Sequence, residues 1–309
     1  MTLKIAFIGA GGVGGYFGGH LARAGTEVHF IARGAHLAAL KAKGLTVLSD
    51  LAPIAGLPVM ATDDPASVGP VDAMFLAVKL ADTEGALAQM GPLIGPETVV
   101  ASLQNGVDAV ERMVAAFGPA QVLGGVCHIA TAVDGPGVIR HTGTMAKVTL
   151  GELAGGASAR LSRLVEAFRT AGLDIVESPD IRRAIWEKFV FLSAFSGVTA
   201  LSRSAIGPIR TDATGRLFIA RALAESAAVA RAKGVALAED HVEKALGFVD
   251  RLPATMKASM LHDLERGAKL ELPWLSGAVV RLGREADVPV PTHETIVAAL
   301  TPHQGGRPT

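Results

Sequence analysis

Lys188 is the residue that fits its surroundings least. It lies among Ile185, Trp186, Phe189, Val190, Phe191, Leu192, Ala194 and Phe195, a run from about 180 to 200 that is apolar on nearly every side of a helix and so reads as buried. A lysine seldom enters a core without a partner or a task. Desolvation lowers a lysine pKa, which makes such a group a better proton donor near neutrality. The plain alternative is a stem that packs while its head reaches water. Glu271, in Lys269-Leu270-Glu271-Leu272-Pro273-Trp274, is a second candidate. Pro273 suits the first position of a helix and disfavours helical geometry at Leu272, which leaves Glu271 at a helix junction, facing either a cleft or solvent. Ser259 and Asp263 are spaced i, i+4 and share one helix face, where capping or solvation is the ordinary reading.

A second kind of chemistry is written at the start of the chain. Lys4-Ile5-Ala6-Phe7-Ile8 runs into Gly9-Ala10-Gly11-Gly12-Val13-Gly14, a strand, a glycine turn and a helix start. That order is the dinucleotide-binding fingerprint. Gly9 permits the tight turn, Gly11 lets backbone N–H groups approach a pyrophosphate, and Gly14 lets the helix pack closely on the strand. Phosphate charge then sits at a helix N-terminus. A helix reaching Gly25 and a strand Glu27-Val28-His29-Phe30-Ile31 complete the unit of about 30 residues that the motif requires. An NAD site usually offers the ribose a carboxylate at the end of that second strand. This chain offers Ala32-Arg33-Gly34-Ala35-His36. Arg33 has the fork geometry for a 2′-phosphate, so NADP is favoured over NAD, and His36 is expected to be a bystander more than a ligand.

The elements that must position these groups fall into two textures. Up to Ser178-Pro179-Asp180 the chain alternates strands and helices, and an α/β domain of residues 1–178 is expected. Leu45–Leu48 and 58–61 read as an inserted hairpin, 71–78 and 98–103 as buried parallel strands, and 138–141, 147–150 and 173–176 as further strands. Lys79 and Asn105 follow the carboxyl ends of two of these strands, where open α/β sheets bind ligands, although Asn105-Gly106 is also an ordinary turn. From 179 to 301 only helical periodicity remains, broken at Pro253, Pro273 and Pro289, and 302–309 reads as a loose tail. The 29 basic and 29 acidic residues cancel, so no nucleic acid or anionic membrane surface is implied as a partner. No uninterrupted apolar stretch approaches the ~20 residues of a bilayer span. The start lacks the basic, longer apolar pattern of a secretory signal, and a cytoplasmic protein is expected. Cys127 is the only cysteine and reads as a buried small residue, with His128 beside it either facing a cleft or, the plainer reading, hydrogen-bonded near the sheet. No cluster has metal-ligand spacing. An apolar helical face is compatible with a homodimer.

Taken together, Gly9-x-Gly11-x-x-Gly14, Val78-Lys79, Leu103-Gln104-Asn105-Gly106, Trp186-Glu187-Lys188 and Ser259-Met260-Leu261-x-Asp263 followed by Glu271 resemble the ketopantoate reductase (2-dehydropantoate 2-reductase) family over essentially the whole chain. The resemblance implies a Rossmann-type N-terminal domain followed by an all-α domain like the C-terminal domain of 6-phosphogluconate dehydrogenase. It implies NADPH-dependent reduction of 2-dehydropantoate to pantoate, as in pantothenate biosynthesis. Lys188 would be the general acid and Glu271 would hold the nascent hydroxyl; Asn105 would bind cofactor and substrate. Lys79 and Arg33 would contact the nucleotide, with Gly9, Ala10, Gly11, Gly12, Val13 and Gly14 around its phosphates, and Ser259 would bind the substrate carboxylate. Family members acting on ketopantoate commonly carry asparagines four and eight residues after the lysine. This chain has Leu192 and Ser196 there, and Pro273 two residues after Glu271 where aspartate is frequent. A reductase of another 2-oxo acid or ketone is therefore an alternative. A non-catalytic NADP-binding sensor is a third reading, disfavoured because a sensor needs no proton donor.

Overall fold

The computed structural model describes residues 3–307. The chain forms two compact units, one of residues up to Gln104 with Asp108–Ala184, the other of Asn105–Val107 with the residues from Ile185 onward. The first unit is built on ten strands: β1 (Lys4–Ile8), β2 (Glu27–Ile31), β3 (Leu45–Leu48), β4 (Ile54–Leu57), β5 (Met60–Thr62), β6 (Ala73–Leu76), β7 (Val99–Ser102), β8 (Val122–Gly135), β9 (Val138–Glu152) and β10 (Asp174–Glu177). They form one sheet in the order β4-β3-β9-β8-β7-β6-β1-β2-β5, with β10 beside β9. From β8 to β5 every neighbouring pair is parallel. Parallel strands covered on both faces must be apolar throughout, and β6 and β7 are buried at every position. Phe7 stacks on Phe75 at 5.2 Å, and Phe168 meets Phe75 edge-on at 5.5 Å, on one face of the sheet. Ala6, Ile8, Met74 and Leu76 pack with Leu93 and Met113 in a separate core.

Helices α1 (Gly12–Arg23), α2 (Gly34–Lys43), α3 (Thr83–Leu87), α4 (Ala109–Phe117) and α5 (Ala159–Thr170) complete this unit. Strand β1 has β2 on one side and β6 on the other, so the loops leaving the carboxyl ends of β1 and β6 diverge and open a crevice.

Two expectations for the strands are corrected. Strand β3 pairs antiparallel with Ile54–Leu57, not with 58–61. Met60–Thr62 is instead a separate strand parallel to β2, and Pro58, which has no N–H for a ladder, lies between the two. The segments expected at 138–141 and 147–150 belong to one strand of 15 residues, β9, whose antiparallel partner β8 of 14 residues was not foreseen.

In the second unit lie α7 (Ile206–Thr211), α8 (Ala213–Ala232), α9 (His241–Arg251), α10 (Ser259–Arg266), α11 (Ser276–Glu285) and α12 (Pro291–Leu300). They follow α6 (Ile181–Ser202), which is apolar all round because it runs through the core: Phe189, Val190, Ala194, Phe195, Val198 and Ala200 are all buried. By length and composition alone this helix is long and apolar enough to cross a membrane, although Arg182, Arg183, Glu187 and Lys188 interrupt its apolar run, as expected. Its apolar stretch is 67 % buried, the mark of a core helix. Of the segment expected to be loose, Pro302 and His303 belong to the 3₁₀ turn Thr301–His303, and the Gln304 carbonyl accepts the Leu270 N–H at 3.0 Å. Residues 308 and 309 lie outside the described residues.

Candidate active site

The crevice beyond β1 contains a cavity of about 270 Å³ lined by Gly9, Ala10, Gly11, Ile31, Ala32, Arg33, His36, Val78 and Val133. Gly9 has a φ of +101°, open to glycine and strained for other residues. A Cβ on Gly14 would lie 2.0 Å from the Gly9 carbonyl oxygen, so the helix meets the strand at a contact only glycine allows. A Cβ on Gly11 would meet nothing nearer than Val133 Cγ2 at 4.0 Å. The space over Gly11 is thus open, at the N-cap of a 12-residue helix with no acidic residue in its first turn. Such an end suits a pyrophosphate. Gly12 and Val13 begin α1, and Arg33 is exposed at the N-cap of α2, on the cavity wall. Lys79 is exposed one residue beyond Val78, before the 3₁₀ turn Leu80–Asp82. Val133, on the long hairpin of β8 and β9, had no sequence signal marking it as a wall residue.

A polar cluster lies within the second unit. Lys188 Nζ donates to Asn105 Oδ1 at 2.9 Å, and Asn105 Nδ2 donates to Glu271 Oε2 at 3.3 Å. This amide orientation alone matches a donor to an acceptor at both ends, because an ammonium only donates and a carboxylate only accepts. Asn105 follows β7 and its turn residue Gly106 has a φ of +82°. Its neighbour Gln104 is fixed by donating Nε2 to Val78 O and Thr83 Oγ1, at 2.9 and 2.8 Å. Glu271 is 9 % exposed at the junction that Pro273 imposes, before the 3₁₀ turn Leu272–Trp274. Lys188 is partly buried, neither sealed in the core nor free in solvent.

The remaining candidates are dispersed. Leu192, one turn beyond Lys188, is partly buried, whereas Ser196 is fully buried and its hydroxyl finds no hydrogen-bond partner among the described residues. Ser259 is exposed at the first position of α10; Asp263 is buried and bonded to Arg266. Cys127 is buried, donating to the Leu103 carbonyl at 3.2 Å. No group of three or more metal-ligating side chains occurs among the described residues.

Fold and site define an oxidoreductase with a Rossmann-type first unit and a helical second unit. Residues 5–155 match the family model described as ketopantoate reductase PanE/ApbA, and residues 180–304 match that of its C-terminal part. The chain belongs to the ketopantoate reductase family. It is 35 % identical to a 2-dehydropantoate 2-reductase of Mesorhizobium japonicum over 96 % of this chain and 97 % of that protein. An uncharacterized oxidoreductase of Bacillus subtilis, YkpB, is 32 % identical over 96 % and 98 % of the two chains. Among solved structures, a 2-dehydropantoate 2-reductase from Geobacter metallireducens superposes with a TM-score of 0.90 at 30 % identity, covering 97 % of this chain and 99 % of that one.

Proposed function

We propose that this protein reduces the ketone of a 2-oxo acid to a 2-hydroxy acid with NADPH, and that 2-dehydropantoate, the substrate named for its relatives, is its substrate. The observation that carries this reading is the continuous chain from Lys188 through Asn105 to Glu271. Gly9–Gly14 would hold the pyrophosphate of NADPH, whose reduced nicotinamide would supply the hydride. Addition at the ketone carbon leaves negative charge on oxygen, and Lys188 Nζ delivers the proton that converts it to a hydroxyl. Asn105 Oδ1 holds the ammonium in place. Glu271, buried beside the amide, accepts a hydrogen bond from the new hydroxyl. Arg33 contacts the 2′-phosphate, Lys79 the nucleotide, and Ser259 the substrate carboxylate. A cytoplasmic location, and a homodimer like the dimeric ketopantoate reductase of Staphylococcus aureus, belong to the same proposal.

A second reading is favoured by Leu192. This partly buried apolar side chain follows the proton donor by one turn, and the next polar group on that helical row, Ser196, is sealed from solvent. A substrate with an apolar group where 2-dehydropantoate has its hydroxymethyl would then fit better. The test is NADPH oxidation with 2-dehydropantoate, 2-oxoisovalerate and longer 2-oxo acids. A kcat/KM for 2-dehydropantoate at least about tenfold above the others supports the first reading; the reverse order supports the second. NADPH binding without turnover of any carbonyl compound would sink both.

A further inference from the structure

His36 was expected to be a bystander beside the nucleotide, yet its ring is fully engaged. Nε2–H donates to the Ala10 carbonyl at 2.8 Å, and Nδ1 accepts the Gly137 N–H at 3.1 Å. These two bonds need opposite roles from the two nitrogens, which fixes the neutral tautomer with its proton on Nε2. Three separate pieces of the cavity wall are thereby joined. Ala10 belongs to the glycine loop, His36 to the first turn of α2, and Gly137 to the turn between β8 and β9, the hairpin that carries Val133.

We propose that His36 is a positioning residue of the dinucleotide pocket. In a trans peptide the carbonyl of one residue and the N–H of the next point in opposite directions, so anchoring the Ala10 carbonyl sets the direction of the Gly11 N–H. That N–H belongs to the residue beside which the space is open, a Cβ on Gly11 meeting nothing nearer than 4.0 Å. The bond from Gly137 holds the hairpin against the same loop, and Gly137 itself, with φ +76°, has its carbonyl taken by the Thr46 N–H at 2.9 Å. His36 needs no contact with the ligand. It pre-organises the part of the pocket that meets the pyrophosphate, and both NADPH and NADH carry that group.

The proposal rests on the dinucleotide reading above, and the experiment separates the two. Fluorescence titration of the wild-type protein measures Kd for NADPH and for NADH, and is repeated for His36→Leu and His36→Gln. The leucine has no polar atom, whereas the glutamine amide keeps one donor and one acceptor. We expect His36→Leu to weaken both nucleotides by about five- to tenfold, the scale of one or two lost hydrogen bonds, with their ratio unchanged. His36→Gln is expected to recover most of that loss. A loss confined to NADPH overturns the proposal, because His36 would then touch the 2′-phosphate. Unchanged Kd values with a lowered melting temperature also overturn it, because the bonds would serve folding alone. A wild type that binds neither nucleotide removes the dinucleotide reading, and the role of His36 with it.

Discussion

Asn105 makes one polar chain of two side chains that are far apart in sequence, 83 residues from Lys188 and 166 from Glu271. The end members were legible as single residues: Lys188 from the apolar helix around it, Glu271 from the break at Pro273. The bridge was not, because Asn105-Gly106 reads equally well as a turn and nothing local states which distant groups the amide meets. If the ammonium delivers the proton, Lys188→Ala lowers kcat by about 10²- to 10⁴-fold, the usual worth of a general acid. The Kd for NADPH, measured by fluorescence, stays near the wild-type value, because the lysine belongs to the helical unit and the nucleotide cavity is lined by the first unit. Turnover within about threefold of wild type, less than a general acid is worth, would remove Lys188 from the mechanism.

At the scale of elements, the strand, glycine turn and helix at the N-terminus formed where the residues indicated, since each step is decided locally. Pairing is decided elsewhere. Strand β3 found Ile54–Leu57 and not 58–61, and β8 with β9 built the longest pair in the sheet from a stretch whose glycines and polar residues hide it. That hairpin then brought Val133 to the nucleotide cavity. Within the glycine loop, local geometry separates packing from binding, and two substitutions test the separation. Gly14→Ala puts a Cβ 2.0 Å from a backbone oxygen, so strand and helix must part; a loss of about 1–3 kcal/mol in stability is expected. Gly11→Ala meets only ordinary contact distance in an extended backbone, and thermal unfolding should shift little. The new methyl instead occupies the open space, and NADPH affinity falls. Wild-type affinity in Gly11→Ala would mean that the phosphates do not pass over Gly11.

For the whole molecule, the change of texture near residue 180 foretold a sheet-based unit followed by a helical one, but not the way Asn105–Val107 join the second unit, which depends on packing of residues distant in sequence. That helical unit has a buried polar seam that periodicity could not show. His293 is completely buried; its Nε2 lies 2.8 Å from Ser226 Oγ and 3.0 Å from the Ala222 carbonyl, and Ser226 meets Ser193 of α6 at 3.0 Å. Burial holds the imidazole pKa below its ordinary value of 6.5, since a charge on the ring would be stranded in an apolar core. The unfolded chain therefore binds this proton at a higher pH than the folded one. Stability from the neutral ring is complete above pH 6.5 and is lost as pH falls below it, at up to about 1.4 kcal/mol per pH unit until the folded-state pKa is reached. Urea unfolding of the wild type between about pH 7 and pH 5 should show that decline. In His293→Gln the decline should be shallower by up to one proton, with the remainder due to groups such as His20, whose pKa burial also lowers. An identical slope in the variant would place the acid sensitivity outside the His293 seam.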